Sequence, residues 1–402
     1  RPVYYKKWRD DPKMVVFGDS TSDVGRRFNA PSSFDFDDIG PFPWVKMFEA
    51  PDSESKFRAY LPAPGAFTNG KVWPSWLRVP EDLNFATGSG TASEAFRSRE
   101  RCTGYTGDWE ALPTATLGEQ ITRYSHDVLD YTDDTLDHTH IILMGTNDMN
   151  NLILAASRYN AGGVGYVDPV AFENVFEVVD GVPGLTFEPM VRELVGAWQE
   201  GITRLIERGV TGRILLANLP SPRGLPVSCC FGLANALDLV SLQVRAAAKQ
   251  ISQAFAQVRV LEVYKLTETL VDHPEIFEDL GFTGGVPSGS SLIDPCLVPH
   301  FAVDYEADIM GTQGDRAAGC QEECALCADG SSPCQNCFQG YPSATVCDNP
   351  ESYVFWDAVH FTTEIHHILG EAIRQCSKDR PNYDRDWVEV LCPDESAWFS
   401  AP

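Results

Sequence analysis

The sequence predicts an α/β fold, a three-layer α/β/α sandwich in which helices cover both faces of a central, mostly parallel sheet. Apolar runs of strand length alternate along the chain with stretches in which apolar residues recur at helical spacing. This alternation is typical of parallel sheets, because each parallel strand needs a crossover connection to its neighbour. With 402 residues, 43% of them hydrophobic, the chain is long enough for one large core.

The individual elements follow from these two periodicities. The predicted strands are 14–17, 139–144, 213–219 and 258–263. The predicted helices are 117–129, 190–206, 237–255 and 363–376. The first strand ends at Gly18-Asp19-Ser20 and the second at Gly145-Thr146-Asn147-Asp148. Sheets of this kind place their sites beyond the carboxyl ends of the strands, so both segments are candidates for a site.

The cysteines predict a separate, cross-linked segment. The chain has 12 cysteines, and half of them lie close together near the C-terminal third: Cys320, Cys324, Cys327, Cys334, Cys337 and Cys347. We interpret 301–350 as a disulfide-rich insertion into one main domain formed by 1–300 and 351–402. The two Cys-x-x-Cys pairs also suit a zinc site. Their close spacing and the flanking cysteines favour disulfides, and therefore an oxidising compartment.

Charge and hydropathy exclude some partners. The net charge of -26 opposes binding to nucleic acid or to an anionic membrane surface. No apolar run approaches the roughly 18 to 20 residues of a membrane-spanning helix, so stable membrane insertion is not expected. The chain starts at Arg1 without an initiator Met, which indicates a secreted product whose signal peptide has been removed. The oligomeric state is not determined by the sequence.

Two segments predict nucleophilic catalysis. Ser20 lies at the carboxyl end of a predicted strand, and Asp357-Ala-Val-His360 precedes the helix at 363–376. A serine nucleophile needs a base within hydrogen-bond reach, and that base needs an acceptor that fixes its tautomer. Each segment also has a structural interpretation, as a turn or a helix cap, when it is taken alone. Asp19 and Asp148 are expected to hold the site together rather than react.

Two further segments could stabilise the oxyanion of an acyl-transfer reaction. Asn147 offers a side-chain amide directly after the second strand. Asn84-Phe-Ala-Thr-Gly-Ser-Gly90 is a turn of mostly small residues whose backbone N–H groups can approach a substrate closely. Either segment alone could be an ordinary turn, and the prediction depends on all four segments occurring together.

These segments resemble the sequence blocks of the GDSL/SGNH hydrolases, and they occur in that family's order. The four similar blocks are Phe17 to Gly25, Asn84 to Ala92, Gly145 to Asp148 and Phe355 to His360. Secondary resemblances are Phe67-Thr-Asn-Gly-Lys-Val-Trp73, similar to a segment of the lipase-like branch, and Asn218-Leu-Pro220. The resemblance implies a flavodoxin-like SGNH fold, and it leaves the cysteine cluster outside the family pattern.

The resemblance also implies roles for individual residues. Ser20 would attack an ester carbonyl, His360 would transfer the proton, and Asp357 would orient His360. The oxyanion hole would comprise the Ser20 backbone N–H, the Asn147 side chain and one N–H of the glycine block. Many members carry Gly-Gly where this chain has Gly88-Ser89, so either residue could be the donor. His366 and His367 are expected to be surface or packing residues.

The predicted function is therefore that of a secreted serine esterase or lipase that needs neither a metal nor an organic cofactor. The expected substrate is a small-molecule, lipid or acylated-carbohydrate ester, since fold alone does not select among them. Two alternatives remain: an acyltransferase that uses the same residues, and an inactive SGNH-fold binding protein.

Overall fold

The computed structural model describes residues 13–24, 68–88, 90–96, 115–149, 177–179, 182–184, 188–226, 234–282, 295–298, 345–356, 360–378 and 386–393. The strands in this part of the chain are β1 (Met14–Gly18), β2 (Thr139–Leu143), β3 (Glu177–Val179), β4 (Val182–Gly184), β5 (Ile214–Ala217), β6 (Val258–Leu261), β7 (Leu297–Val298) and β8 (Thr345–Val346). The α-helices are α1 (Trp73–Leu77), α2 (Leu117–Tyr124), α3 (Glu188–Glu207), α4 (Ala234–Ala254), α5 (Val263–Asp272), α6 (Glu275–Glu278), α7 (Thr363–Cys376) and α8 (Asp386–Leu391).

The central sheet is parallel and has the strand order β1-β2-β5-β6. Its register pairs Val16 with Ile141 and Ile141 with Leu215, and each of these strands is almost entirely buried. The two remaining pairs of strands, β3 with β4 and β7 with β8, are short antiparallel ribbons. The predicted parallel sheet is therefore confirmed.

A fifth extended segment lies along the free edge of β1. Asn84 forms a parallel bridge with Val16, and the N–H groups of Phe85 and Thr87 donate to the carbonyls of Val16 and Gly18. When this segment is counted, the spatial order of the extended segments across the sheet is the flavodoxin-like one. In that order the next segment of the chain lies on one side of β1, and all later strands lie on the other side. The carboxyl end of β1 is thus the point where the connections diverge and leave a crevice.

Alternate residues of the strands enter two separate hydrophobic cores, one on each face of the sheet. The strand residues of the first core are Met14, Val16, Ile141, Leu143, Leu215, Ala217 and Leu261. Those of the second core are Val15, Phe17, Ile142, Ile214, Leu216, Val258 and Val260. Helices α1, α5 and α7 cover the first core, and α2, α3 and α4 cover the second. The predicted three layers, the SGNH α/β fold, are present.

The helices differ from the prediction in their bounds and in their number. The helix predicted over 117–129 is α-helical only to Tyr124, and Ser125–Leu129 continues it as a π-helical turn. The apolar spacing continues across both, so the sequence pattern does not distinguish them. Helices α1, α5, α6 and α8 were not predicted. Helices α1, α6 and α8 are too short for a clear helical period, and the strand predicted over 258–263 extends into the first residue of α5.

Two disulfide bonds lie within the described residues. Cys376 at the end of α7 is bonded to Cys392 just after α8. Cys296 is bonded to Cys347 beside the β7–β8 ribbon. The bond therefore joins the two ends of the segment that connects β7 with β8. The remaining five cysteines of the cluster, and Cys229 and Cys230, lie outside the described residues. The disulfide-rich insertion at 301–350 therefore remains a prediction.

None of the helices that the structure describes is both long enough and apolar enough to cross a membrane.

Candidate active site

Ser20 occupies a tight turn at the carboxyl end of β1. The Ser22 N–H donates to the Asp19 carbonyl at 3.0 Å, and the Thr21 N–H donates to Asp19 Oδ1 at 3.0 Å. A Cβ atom on Gly18 would lie 2.8 Å from Ser22 Cβ, so this close turn requires glycine at position 18. Ser20 itself is only partly buried, whereas Asp19 and Ser22 are buried.

Three side chains from other segments hold this turn. Gln120 of α2 brackets the backbone of Gly18: its Oε1 accepts from the Gly18 N–H, and its Nε2 donates to the Gly18 carbonyl, both at 2.9 Å. The Trp73 indole N–H donates to Ser22 Oγ at 3.0 Å. The Asn84 amide donates to the Ser22 carbonyl at 2.9 Å. The position of Ser20 is therefore set by contacts made on both sides of the sheet.

His360 reaches Ser20 from a turn that precedes α7. Its Nε2 lies 2.8 Å from Ser20 Oγ, within the range expected for a nucleophile and its base. The Trp356 N–H donates to the His360 carbonyl at 2.8 Å, and the Thr362 N–H donates to the Val354 carbonyl at 2.9 Å. These two bonds close the turn that carries His360.

A second set of contacts ties the start of α7 to the segment around Asn69. Asn69 Oδ1 accepts from the Thr363 N–H at 2.8 Å, which caps α7 from a distant part of the chain. The Thr68 hydroxyl donates to the Phe361 carbonyl at 2.8 Å. A Cβ on Gly70 would lie 2.8 Å from Thr363 Oγ1, so the glycine permits this close approach. Residues 68–70 thus support the His360 turn on one flank.

The other flank of the turn is held near a disulfide. The Cys296 N–H donates to the Phe355 carbonyl at 3.0 Å, and Cys296 is bonded to Cys347. Asp357 follows Trp356 in the sequence and lies outside the described residues. Its predicted role of orienting His360 therefore remains a prediction.

The glycine block is bonded to the helical turn at 146–149, which follows β2. Asn147 Nδ2 donates to the Gly90 carbonyl at 3.0 Å, which fixes the orientation of the amide. An amide carries a second N–H that can point elsewhere. The Gly88 N–H donates to Asp23 Oδ2 at 2.7 Å, while Ser89 lies outside the described residues. The N–H of Gly88 is therefore already bound to a carboxylate.

Asp148 and Asp19 are buried carboxyl groups that hold backbone. Asp148 accepts from the N–H groups of Ala92 and Ser93, each at 2.8 Å. Burial raises the pKa of Asp148 to about 7, against the lowering effect of these hydrogen bonds. Burial likewise raises the pKa of Asp19 to about 6, although bonds from Thr21 and the charge of His360 lower it. The hydrogen bonds that Asp148 and Asp19 accept from backbone N–H groups agree with the structural roles predicted for these carboxyl groups.

His366 lies on α7, fully buried, and neither of its ring nitrogens has a hydrogen-bond partner among the residues that the structure describes. Its ring packs edge-on against Phe361. Burial lowers the pKa of His366 from 6.5 to about 3, and the nearby His360 lowers it further. His366 is thus a packing residue, one of the two roles expected for it.

We expect His366→Leu to stabilise the protein selectively in acid. Because the pKa of His366 is depressed on folding, its contribution to stability is complete above pH 6.5 and is lost as the pH falls towards 3. A leucine does not titrate. Urea unfolding at about pH 7.5 and about pH 5 measures the free energy of unfolding of both proteins. On going to the lower pH, the value for the variant should rise by roughly 2 kcal/mol relative to that of the unaltered chain.

Ile365→Val is the control, because Ile365 is the buried neighbour of His366 on α7 and carries no titratable group. Its effect on the free energy of unfolding should be similar at the two pH values. An equal effect of His366→Leu at both pH values would contradict the assignment of a buried neutral ring.

Sequence reasoning missed Gln120 and Asp23 as parts of the site. Gln120 occupies a buried position of α2, between the buried Leu117 and Ile121. A polar side chain on the apolar face of a helix is the signal that could have identified it, because buried polar groups need partners. Asp23 gave no such signal, since its partner Gly88 is 65 positions away.

The fold and this serine–histidine pair define an SGNH-type α/β protein. Residues 14–373 match the family described as GDSL-like Lipase/Acylhydrolase, and the chain belongs to this family. It is also similar to the thermolabile hemolysin of Vibrio parahaemolyticus serotype O3:K6 (strain RIMD 2210633), with 22% identity over 382 residues. That match covers 92% of this chain and 65% of the hemolysin.

Proposed function

We propose that this protein hydrolyses carboxylic esters through an acyl-enzyme on Ser20. The observation that carries the proposal is the 2.8 Å distance between Ser20 Oγ and His360 Nε2 at the carboxyl end of β1. Membership of a lipase and acylhydrolase family supports hydrolysis as the reaction class. Ser20 and His360 come from the first and the last of the four blocks that resemble this family, which supports their proposed roles.

In the proposed first step, Ser20 Oγ attacks the ester carbonyl carbon while its proton moves to His360 Nε2. A C–O bond forms, and the carbonyl oxygen takes the negative charge. When the tetrahedral intermediate collapses, the bond to the alcohol oxygen breaks and His360 returns the proton to the leaving alcohol. In the second step, water attacks the acyl carbon while its proton moves to His360 Nε2. The bond between the acyl carbon and Ser20 Oγ then breaks, His360 returns the proton to Oγ, and the acid is released.

The oxyanion is proposed to be bound by the Ser20 backbone N–H, the second N–H of the Asn147 amide and one N–H of the glycine block. Because the Gly88 N–H already donates to Asp23, we favour Ser89 over Gly88 as the last donor. Asp357 is proposed to accept a hydrogen bond from His360 and so to set its tautomer.

We further infer an oxidising compartment, outside the cytosol, as the place where the protein acts. The disulfide bonds Cys296–Cys347 and Cys376–Cys392 support this inference. The similarity to a hemolysin, a protein named for the lysis of red cells, favours a lipid ester over other esters as the substrate.

A fluorophosphonate probe tests the proposed nucleophile directly, because it labels only an activated serine. The unaltered protein should be labelled, and Ser20→Ala should abolish labelling. Ser252→Ala is a matched control, since Ser252 lies in the last turns of α4 and bonds only its own helix in the described contacts. Absence of labelling in the unaltered protein, or equal labelling of Ser20→Ala, would refute the proposal.

A further inference from the structure

Two extended segments flank the turn that carries His360. Phe355 on one side forms an antiparallel bridge with Phe361 on the other, and the rings of these two residues lie 5.0 Å apart. Phe355 also forms a parallel bridge with Pro295, and its carbonyl accepts from the Cys296 N–H at 3.0 Å. A third segment, that of Pro295 and Cys296, is therefore hydrogen-bonded to the backbone that presents His360.

Cys296 joins this third segment to a distant part of the chain. The Cys347 N–H donates to the Cys296 carbonyl at 3.0 Å, and the two residues form a disulfide bond. Both cysteines pack in one small hydrophobic cluster with Trp356. The Trp356 N–H is the group that donates to the His360 carbonyl. The disulfide therefore packs against the residue that holds the backbone of His360.

In the part of the chain that the structure describes, noncovalent contacts hold the third segment weakly. The ribbon next to Cys296 has two residues in each strand, β7 and β8, and a two-stranded ribbon is only marginally stable in water. The two cysteines are 51 positions apart in the sequence. Without the bond, the ribbon contacts would have to offset the chain entropy of closing this long loop. We therefore attribute the placement of Cys296 beside Phe355 to the covalent bond.

We propose that the Cys296–Cys347 disulfide positions His360 for proton transfer, so that loss of the bond lowers kcat and leaves substrate binding nearly unchanged. This inference rests on the proposed ester hydrolysis. His360 Nε2 lies 2.8 Å from Ser20 Oγ, and proton transfer requires that the two atoms stay within hydrogen-bond distance. A displacement of about 1 Å in such a pair can lower the rate by about 100-fold. The disulfide thus acts through His360 and does not itself touch the substrate.

The variant Cys296→Ser/Cys347→Ser tests this inference by steady-state kinetics on a soluble p-nitrophenyl ester. Fluorophosphonate labelling, carried to completion, counts the active sites, so that kcat refers to folded enzyme alone. We expect kcat per active site to fall roughly 10- to 100-fold, with KM changed by less than about threefold. The rate of labelling should fall as well, because it depends on the same activated hydroxyl. A bond that only stabilised the fold would leave kcat per active site unchanged.

Cys376→Ser/Cys392→Ser is the matched control, because it removes the other disulfide of the described residues. Cys376 ends α7, whereas His360 precedes the start of this helix. The 14 residues of α7 separate its two ends by about 20 Å. The control should lower the urea midpoint of unfolding, since it also loses a cross-link. Its kcat should stay within about twofold of that of the unaltered chain.

Trp356→Leu provides a second test if the first variant does not fold. It keeps the backbone N–H that holds His360 and removes the indole ring that packs with Cys296. It should give the same result, a lower kcat with KM nearly unchanged.

Two results would overturn the inference. One is an unchanged kcat per active site in the folded Cys296→Ser/Cys347→Ser variant, or in Trp356→Leu where that variant does not fold. The other is an equal loss of kcat in the control. If the unaltered chain hydrolyses no ester and is not labelled at Ser20, the proposed function itself fails, and the inference fails with it.

Discussion

Replacing His360 by alanine is expected to lower kcat for ester hydrolysis by about 10⁴-fold or more, with a much smaller change in KM. Nε2 of His360 lies 2.8 Å from Ser20 Oγ, and the described structure places no other imidazole at hydrogen-bond distance from that oxygen. Without this base the hydroxyl must lose its proton to water during attack, which leaves a poor nucleophile. Steady-state kinetics on a soluble p-nitrophenyl ester measures the effect.

The matched control is His367→Ala. His367 lies seven positions after His360 and is part of α7. The ring of His367 packs against that of Trp76, at a distance of 4.6 Å between ring centres. This variant should keep kcat within about twofold of the unaltered chain, because surface changes away from a site have small effects. Both variants should give the same far-ultraviolet circular dichroism. A loss of less than about tenfold in folded His360→Ala would rule out His360 as the base.

Replacing Asp148 by alanine is expected to lower the free energy of unfolding by about 2 to 6 kcal/mol. The carboxyl group of Asp148 is fully buried and accepts from two backbone N–H groups, those of Ala92 and Ser93. Each buried donor left without an acceptor costs about 1 to 3 kcal/mol. Urea unfolding at about pH 7, followed by tryptophan fluorescence, measures the change.

Asp148→Asn separates the loss of the acceptors from the loss of the charge. Its carbonyl oxygen can accept from one of the two N–H groups, while its NH₂ group faces the other, so the loss should be smaller than in Asp148→Ala. A loss below about 1 kcal/mol in Asp148→Ala would show that the two N–H groups find other partners.

The difference in stability between the unaltered chain and Asp148→Asn should depend on pH in one direction. Burial raises the pKa of Asp148 from 3.8 to about 7, so the folded state holds this proton more tightly than the unfolded state. Its contribution to stability is complete below pH 3.8 and is lost as the pH rises through about 7. The unaltered chain should therefore gain stability relative to Asp148→Asn on going from about pH 8 to about pH 5.

Most of the sheet could be predicted from the sequence because its strands are buried on both faces. The apolar runs predicted as strands overlap β1, β2, β5 and β6, and the predicted bounds of α7 agree with the structure. Runs of this kind carry their signal within a few residues. The short helix α8 carries too few residues to show a period, and its position depends on the bond between Cys376 and Cys392 and on packing against α5 and α7.

The candidate site divides in a similar way. Gly18, Ser20 and Asn147 could be placed at strand ends because a strand's end and the turn after it are local properties of the chain. Local pattern does not tell which distant groups meet them. The bracket of Gln120 around Gly18 joins positions 102 apart, and the contact of His360 with Ser20 joins positions 340 apart.

From residue order and pattern alone came the α/β class, the strand ends that carry Ser20 and Asn147, and the pairing of Asp357 and His360 in one short segment. Tertiary structure alone decided that the Gly88 N–H is bound to Asp23, that Asn69 caps α7, and that His360 meets Ser20. The physical reason is that strand and helix periods are set by neighbours along the chain. Hydrogen-bond partners and cavities are set instead by how the layers pack across the sheet.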